Sequence, residues 1–398
     1  MSNHPSAYKW YILTLVVLTN MFVVAMPAMG MSVLAKEISQ DLGLNLVQVG
    51  IVWGVGSLPA ILTSLLGGVI GDRFGPKRVL IVSSLAAGLL GAARGLAADF
   101  VSMTVIVVLL GALIPFVAMN GIKMAGQWFP AYQLGLANGL LSMGMALGFL
   151  LGSMFSATTF SPLLGGWRNV MIAYGLIGAA FSLPWFFART LPGLRVEGGL
   201  SMREAVQRVV RLKNVWLLGF TLFGVGSCIQ GILGYLPLYL RGIGWEAVRA
   251  DGALSAFHTI SMIFVLPIAL WSDRLGSRKN LLLIATLLVA GGAGLLSFTS
   301  GGAIWLAVLM SGFVRDAFMA IFLTMVIETE GVGPRLAGTA LGLTMALSGL
   351  GNFLAPPIGN SLAVFWPGAP FAFWAALAVA GMACLSQVRM GERGSVAA

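Results

Sequence analysis

A short charged segment occurs twice in this chain, and each copy lies between two long apolar runs. The first copy, GVIGDRFGPKR, covers residues 68–78, and the second, ALWSDRLGSRK, covers residues 269–279. Asp72 and Asp273 occupy the same place in the two copies and lie 201 residues apart in a chain of 398 residues. A segment that recurs at half the chain length predicts a fold made of two copies of one unit.

Apolar runs of about 20 residues, the length that a helix needs to cross a bilayer, fill both halves of the chain. Hydrophobic residues make up 58% of the chain and charged residues only 9%, whereas a soluble domain carries roughly 25% charged residues. So few charges cannot solvate the surface of a globule, and we predict an all-α membrane protein with twelve transmembrane helices in two pseudo-symmetric six-helix bundles. The predicted spans, numbered one to twelve in chain order, are residues 10–35, 48–71, 79–97, 102–128, 135–159, 168–188, 215–240, 251–272, 281–299, 303–326, 337–359 and 368–388.

A polar stretch at residues 189–214 separates the first six spans from the last six. We predict that it is a cytoplasmic linker with an amphipathic helix on the membrane surface. The two bundles then cover residues 1–188 and 215–398. The first apolar run is too long for the core of a signal peptide, so we expect it to remain as a spanning helix.

Basic residues are unevenly distributed between the loops. Loops on the side of the termini hold most of the 23 Lys and Arg residues, whereas the loops on the other side hold Lys36, Arg168, Arg241 and Arg249. The positive-inside rule therefore predicts that both termini are cytoplasmic, in a bacterial plasma or inner membrane. No basic stretch is interleaved with base-stacking aromatics, so the net charge of +10 does not predict a nucleic-acid partner.

The pattern Gly-x-x-x-Asp-Arg-x-Gly-x-x-Arg between spans two and three, its repeat and the division into six and six helices resemble the major facilitator superfamily. Trp167-Arg168 before span six and Trp128-Phe129-Pro130 after span four are also similar to that superfamily. The resemblance covers essentially the whole chain. It implies secondary transport by alternating access, with a cavity between two six-helix bundles.

The resemblance also assigns the duplicated segment to the conformational switch. Asp72 can cap a helix N-terminus, where the helix dipole favours a carboxylate, and the basic residues can pair with carboxylates or with the phosphates of membrane lipids. Ala269 replaces the first Gly of the motif in the second copy, so we expect looser packing there. The predicted switch residues are Gly68, Asp72, Arg73, Gly75, Lys77, Arg78, Asp273, Arg274 and Gly276.

Charged side chains within membrane spans are costly and mark functional sites. Lys123 lies in span four, and Arg315 and Asp316 lie near the middle of span ten. We predict that Arg315 and Lys123 bind an anionic substrate and that Asp316 carries a coupling proton. Adjacent residues point about 100° apart on a helix, so Arg315 and Asp316 need not pair. A structural ion pair for these two residues and snorkelling for Lys123 are the open alternatives, and snorkelling is the favoured interpretation for Arg94 in span three.

His258 is one of two histidines in the chain and lies in span eight. An imidazole within a membrane can bond an anion or relay a proton. We therefore predict that His258 binds substrate and takes part in proton coupling, with a packing role as the open alternative. Uncharged polar residues on spans one, four, seven and eleven complete the predicted substrate site: Asn20, Asn120, Gln230, Tyr235 and Asn352.

The excess of basic over acidic groups within the spans favours an anionic substrate. Together with the secondary active transport that the resemblance implies, it leads us to expect the proton-coupled uptake, or symport, of a small organic or inorganic anion. Residues 328–357 loosely resemble bacterial small-anion permeases. The alternative is an exporter of drugs or hydrophobic metabolites by proton antiport, which the 20 Met and 23 Phe residues favour. The Gly-Pro pair of the superfamily's antiporter signature is missing near Gly148, which counts against the alternative.

The sequence holds no Gly-rich phosphate loop, no metal-ligand cluster and no pairing of a nucleophile with a base. We therefore predict that the protein is not an enzyme and that it has neither a cofactor nor a metal site. Its expected partners are a small solute, protons and membrane lipids, and we expect it to be a monomer.

Overall fold

The computed structural model describes residues 6–130, 133–190, 202–275 and 278–389. Each predicted span is occupied by one helix or by consecutive helices, which confirms the predicted all-α fold. Ten helices of the described chain are long and apolar enough to cross a membrane. Spans eight and ten, which complete the twelve, are the helix Ala247–Leu275 and the interrupted pair Ala303–Gly312 and Arg315–Glu328.

The chain forms two compact units. The first comprises Met1–Leu194 together with Leu233–Met262, so the end of span seven and the first half of span eight pack with the first six spans. The helices that precede the linker are Ser6–Thr19, Asn20–Ala25, Met26–Val33, Ala35–Asp41, Leu46–Gly54, Ser57–Phe74, Pro76–Ala93, Arg94–Leu96, Phe100–Trp128, Leu134–Phe155, Ser156–Phe160, Ser161–Leu164, Trp167–Ala180 and Ser182–Phe187.

The second unit comprises Arg195–Ile232 and Ile263–Ala398. The linker contains a short helix with Ala205 and Val209 buried, as a one-faced apolar pattern predicts. The bounds that the sequence predicts for the two bundles stay a prediction. The helices from the linker onward are Met202–Val210, Lys213–Gly242, Ala247–Leu275, Arg278–Phe298, Ala303–Gly312, Arg315–Glu328, Gly333–Ser361, Leu362–Val364 and Ala369–Gln387.

Two helix starts in the first unit are fixed by local side-chain hydrogen bonds. Asn45 forms a capping box with Gln48, and Asp99 forms one with Ser102. Each box satisfies backbone N–H groups that the first helical turn leaves unpaired. The backbone N–H and the hydroxyl of Ser102 donate to Asp99, which lowers the pKa of that carboxyl.

Glycines allow close contact between span five and span one in the first unit. A Cβ on Gly148 would meet the backbone of Met21, and a Cβ on Gly152 would meet the backbone of Met26. Small residues at such crossings let two membrane helices pack backbone to backbone. The contact lies along the π-helical turn Asn20–Ala25 of span one, where the wider winding changes the direction of the side chains.

The second unit is held by an analogous contact around span twelve. Trp374 donates its indole N–H to the carbonyl oxygen of Ala355 at 2.9 Å, and its ring lies against Gly231 and Gly359. Trp374 is fully buried. A large aromatic ring that fills the space left by two glycines joins spans seven, eleven and twelve.

Candidate functional site

The first copy of the duplicated segment forms a tight turn. The helix Ser57–Phe74 ends at Gly75, whose φ of 85° lies in the left-handed region that favours glycine. Pro76 then begins the next helix, at the position where a missing N–H costs nothing. The turn therefore requires glycine and accommodates the following proline for local backbone reasons, which accounts for the predicted switch residue Gly75.

Lys123 pairs with the switch segment. Its Nζ donates to Asp72 Oδ1 at 2.5 Å, and the two side chains are 31% and 76% exposed. The ion pair joins the ends of spans two and four, 51 residues apart in the sequence. An exposed pair of this kind contributes about 0–1 kcal/mol, so its geometry fits a contact that forms and breaks better than one that provides stability.

Asn120 lies beneath this ion pair and is fully buried. Its Nδ2 donates to the carbonyl oxygens of Gly67 at 3.2 Å and Phe116 at 2.8 Å. A Cβ on Gly71 would overlap the Asn120 side chain. Asn120 thus joins spans two and four next to the switch. Gly71 is a residue of the duplicated segment whose packing role the sequence did not reveal.

The two copies of the segment make a similar contact through lysines that lie one position apart in the alignment of the copies. Lys77 Nζ donates to the carbonyl oxygen of Phe186 at 2.9 Å, at the end of span six. Lys279 Nζ donates to the carbonyl oxygens of Ser386 and Val388, at 2.7 and 2.9 Å, at the end of span twelve. A lysine at the start of one helix therefore satisfies the last carbonyls of another in each half.

The structure describes all but one of the other predicted switch residues. Arg73 and Arg78 are exposed, and the Arg73 guanidinium lies 5.4 Å from the ring of Phe74. Gly68 lies in the helix Ser57–Phe74, and Asp273 and Arg274 lie in the helix Ala247–Leu275. Gly276 lies outside the described residues.

Span ten is interrupted in its middle. The helix Ala303–Gly312 ends there, Val314 has the non-helical angles φ −114° and ψ 4°, and a second helix begins at Arg315. Arg315 Nη1 lies 3.2 Å from Asp316 Oδ1, with the side chains 16% and 22% exposed. The adjacent residues therefore do pair, although helical geometry alone does not require it. Asp316 occupies the first turn, where the helix dipole favours negative charge.

His258 is fully buried within the first unit. Its Nε2 lies 3.2 Å from Met29 Sδ. Its ring stacks on Phe149 with 5.3 Å between centroids and meets Phe257 edge to face. These neighbours are aromatic and thioether groups, which favour the packing alternative, and the proton-relay role of His258 stays a prediction.

The remaining polar candidates lie in separate places. Asn20 donates to the carbonyl oxygen of Val16 at 3.0 Å. Tyr235 is buried with its ring 6.0 Å from that of Tyr239. Gln230 is half-buried in span seven of the second unit.

Asn352 in span eleven faces Gly226, and its Oδ1 is buried without a hydrogen-bond partner in the described chain. Ser348, one turn earlier, faces the same glycine. Ser227 Oγ on span seven is also buried and unpartnered among the described residues. Spans seven and eleven of the second unit therefore bring polar oxygens together without satisfying them.

Two charged features of the first unit lie outside the predicted site. Arg94 is 3% exposed and donates to the carbonyl oxygen of Gly91 at 3.3 Å, with Nη1 3.6 Å from Met31 Sδ. The expectation that Arg94 snorkels is therefore wrong, because its guanidinium caps the end of its own helix inside the unit. The second feature is a buried ion pair between Arg241 and Asp251. The sequence placed Arg241 in a loop and gave no signal for this pair.

Within the described part of the chain, no three His, Cys, Asp or Glu side chains are grouped as a metal site requires. The sequence profile of the Major Facilitator Superfamily matches residues 13–356. The chain belongs to the Major Facilitator Superfamily. It is therefore an integral membrane transporter rather than an enzyme, and the pseudo-symmetric twelve-helix fold is the architecture of that superfamily.

Named relatives share much of the chain. The hexuronate transporter of Bacillus subtilis (strain 168) is 26% identical over 380 residues, covering 84% of this chain and 87% of that protein. The probable sulfoacetate transporter SauU of Cupriavidus necator is 24% identical over 363 residues, covering 85% and 83%. A solved bacterial homologue of the human lysosomal transporter Spinster superimposes with a TM-score of 0.74 at 15% identity, covering 96% and 95%, and this likeness shows the fold alone.

Proposed function

We propose that this superfamily member imports a small organic or inorganic anion together with protons, by alternating access. It would do so as a monomer in the bacterial plasma or inner membrane, with both termini cytoplasmic. The observation that carries the proposal is the break in span ten, which starts a new helix at Arg315. The proposal extends the family assignment, which by itself leaves the solute and the driving ion undefined.

A break inside a membrane helix creates a helix N-terminus away from the membrane surface. Free N–H groups and the positive end of the dipole then favour a negative charge, and transporters use half-helix N-termini in this way. The Arg315 guanidinium adds donors whose fork matches a carboxylate, sulfonate or nitrate. Asp316 pairs with this guanidinium at 3.2 Å. An entering anion can therefore replace the Asp316 carboxylate as the partner of Arg315.

The relatives support the chemical class of the solute. Hexuronate carries a carboxylate and sulfoacetate carries a carboxylate and a sulfonate, and those relatives are named for these solutes. Both anions are small. A single guanidinium beside one carboxylate suits such a solute better than a long neutral sugar.

The other predicted residues keep their predicted roles in the proposal. Lys123 and its partner Asp72 belong to the switch, and Asp316 and His258 are the predicted proton-coupling residues. The predicted substrate contacts besides Arg315 are Lys123, His258, Asn20, Asn120, Gln230, Tyr235 and Asn352.

Uptake by purified protein in proteoliposomes tests the proposal. A panel of glucuronate, sulfoacetate, nitrate and benzoate is offered with acid outside, and glucose serves as the neutral control solute. We expect accumulation of at least one panel anion, driven by the pH gradient, and its loss in Arg315→Ala. Arg249→Ala is the matched control, because that arginine is exposed and lies over the ring of Trp245 at 4.2 Å.

Two outcomes contradict the proposal. One is wild-type transport of glucose but of none of the four anions. The other is a protein that lowers dye accumulation in cells independently of Arg315, which favours the drug-exporter alternative.

A further inference from the structure

Arg241 and Asp251 form a buried ion pair across the turn between the helices Lys213–Gly242 and Ala247–Leu275. Arg241 Nη2 lies 2.6 and 2.7 Å from the two carboxylate oxygens of Asp251, and the side chains are 7% and 1% exposed. Removing two charges from water costs several kcal/mol per ion, so such a pair adds little stability. Ionisable residues kept within membrane spans instead mark substrate and proton paths.

The pair is incompletely satisfied. Arg241 Nε is buried and has no hydrogen-bond partner among the described residues. A second carboxylate, that of Glu37, is near enough to act electrostatically on Asp251 and accepts a hydrogen bond from Ser161 Oγ at 2.7 Å. The two carboxylates therefore repel each other, and a proton that binds Asp251 relieves this repulsion.

Asp251 lies at the start of a polar line along span eight. Ser255, one turn further on, donates to the backbone carbonyl of Asp251 at 2.9 Å and lies 3.1 Å from Ser153 Oγ of span five. His258 follows at the spacing that keeps residues on one helix face. A proton that leaves Asp251 therefore has an imidazole about 10 Å further along the same face.

We propose that Asp251 binds the coupling proton, with Glu37 as the second carboxylate of the site and Arg241 as its counter-ion. This inference rests on the proposed function and adds a proton-binding residue to Asp316 and His258. The proton binds a carboxylate oxygen of Asp251 and converts it into a neutral acid, which removes both the ion pair with Arg241 and the repulsion from Glu37. When the proton leaves, the ion pair re-forms.

The surroundings of Asp251 make its proton affinity depend on conformation. The charged groups that face it are Arg241 from the helix Lys213–Gly242 and Glu37 from the helix Ala35–Asp41. Span five contributes the hydroxyl of Ser153 through Ser255. Any movement of these helices relative to span eight changes the charges around Asp251. A proton affinity that differs between two conformations is the linkage that coupling requires.

A comparison of exchange with accumulation tests the inference. Asp251→Asn in proteoliposomes should keep counterflow of the transported panel anion but reduce its acid-driven accumulation roughly tenfold or more, within the usual range of coupling energies. A residue with a merely structural role would lower both activities together. Asp41→Asn is the matched control, because Asp41 lies on the same helix as Glu37 and forms a more exposed pair with Arg168 at 2.9 Å.

Two further variants keep the test decisive if Asp251→Asn destabilises the fold by leaving Arg241 unpaired. The double variant Arg241→Gln/Asp251→Asn removes both charges and should show the same split between counterflow and accumulation. Glu37→Gln leaves the ion pair intact and should shift the pH at which accumulation is half-maximal.

Infrared titration of the purified protein measures proton binding without any solute. We expect wild type to gain a carboxylic C=O band on acidification that is absent from Asp251→Asn and present in Asp41→Asn. The inference is overturned if Asp251→Asn shows the same band as wild type, or if this variant accumulates the anion fully. If wild type transports no panel anion but shows an Asp251-dependent band, the proposed function fails while the proton site remains.

Discussion

Span four and span ten are repeat partners with different structures. Span four is one continuous helix, Phe100–Trp128, with Pro115 inside it. Span ten is two helices, Ala303–Gly312 and Arg315–Glu328, with no proline at the break. The sequence offset of 201 places Ile114 and Pro115 opposite Arg315 and Asp316. The duplicated scaffold has therefore kept its helices while its two centres have diverged.

The comparison shows that the proline and the break in the helix backbone occur in different spans. Proline removes a hydrogen bond from a helix, yet membrane helices tolerate it where neighbouring groups satisfy the freed carbonyls, and the helix that contains Pro115 remains continuous. The break in span ten lies instead at a charged pair. The position of the break suits an anion site to which only the second half of the chain contributes the charged pair.

Substitutions at the two matched positions should have very different effects on transport. Arg315→Lys keeps the charge but loses the two-pronged geometry, and we expect anion uptake to fall roughly tenfold or more, as the loss of a charged hydrogen bond of about 1.5–3 kcal/mol implies. Ile114→Ala, its repeat partner, should leave uptake unchanged. Initial uptake rates in proteoliposomes measure both. Equal losses of uptake in the two variants would show that the charge difference between spans four and ten has no role in transport.

The contact between spans three and six should be less tolerant of added volume than an open surface of span four. A Cβ on Gly175 would overlap the backbone of Ala92, whereas a Cβ on Gly126 has nothing within 4 Å. We expect Gly175→Ala to destabilise the protein by about 1–3 kcal/mol through overpacking. Gly126→Ala should be neutral or slightly stabilising. Thermal unfolding in detergent compares the two, and equal midpoints would contradict the packing described.

The ion pairs that the two copies of the duplicated segment form with other helices should differ in strength. Arg278 pairs with Glu328, and Arg278 is only 13% exposed, whereas the Asp72 side chain of the first pair is 76% exposed. Removing the carboxylate with Glu328→Gln should cost about 1–3 kcal/mol, and Asp72→Asn less than about 1 kcal/mol. The same unfolding assay measures both variants. A greater loss from Asp72→Asn would reverse the ranking.

The two capping lysines should give the smallest effects. Lys77→Ala and Lys279→Ala each remove a cation from the end of a helix, which costs about 0.3–1 kcal/mol. Lys279 donates to two carbonyls and Lys77 to one, so Lys279→Ala should have the larger effect. Unfolding midpoints at low and high salt check this, because screening should reduce both differences.

The sequence predicted the spans and the repeat because both depend on local patterns. Run length identifies a spanning helix, and the spacing from Asp72 to Asp273 identifies the duplication without any knowledge of contacts. The turn at Gly75 is equally local, because a positive φ and a following proline belong to one short segment.

The contacts that join distant parts of the chain were not predictable in the same way. The partnership of Lys123 with Asp72 and the burial of Arg94 depend on how helices pack, which no local pattern records. In the sequence, Asp251 is only the first residue of a predicted span and Arg241 falls in a predicted loop, so neither indicates the pair. Sequence reasoning thus identified the charged candidates of the site but not which charges neutralise one another.

Anion binding at equilibrium tests most directly whether Arg315 forms the centre of the site. Thermal unfolding of the purified protein is measured at constant ionic strength with each panel anion, in wild type, Arg315→Ala and Ile114→Ala. We predict that at least one anion raises the unfolding temperature of wild type and Ile114→Ala but not that of Arg315→Ala, since a ligand that binds only the folded state stabilises it. An equal rise in Arg315→Ala would contradict the account.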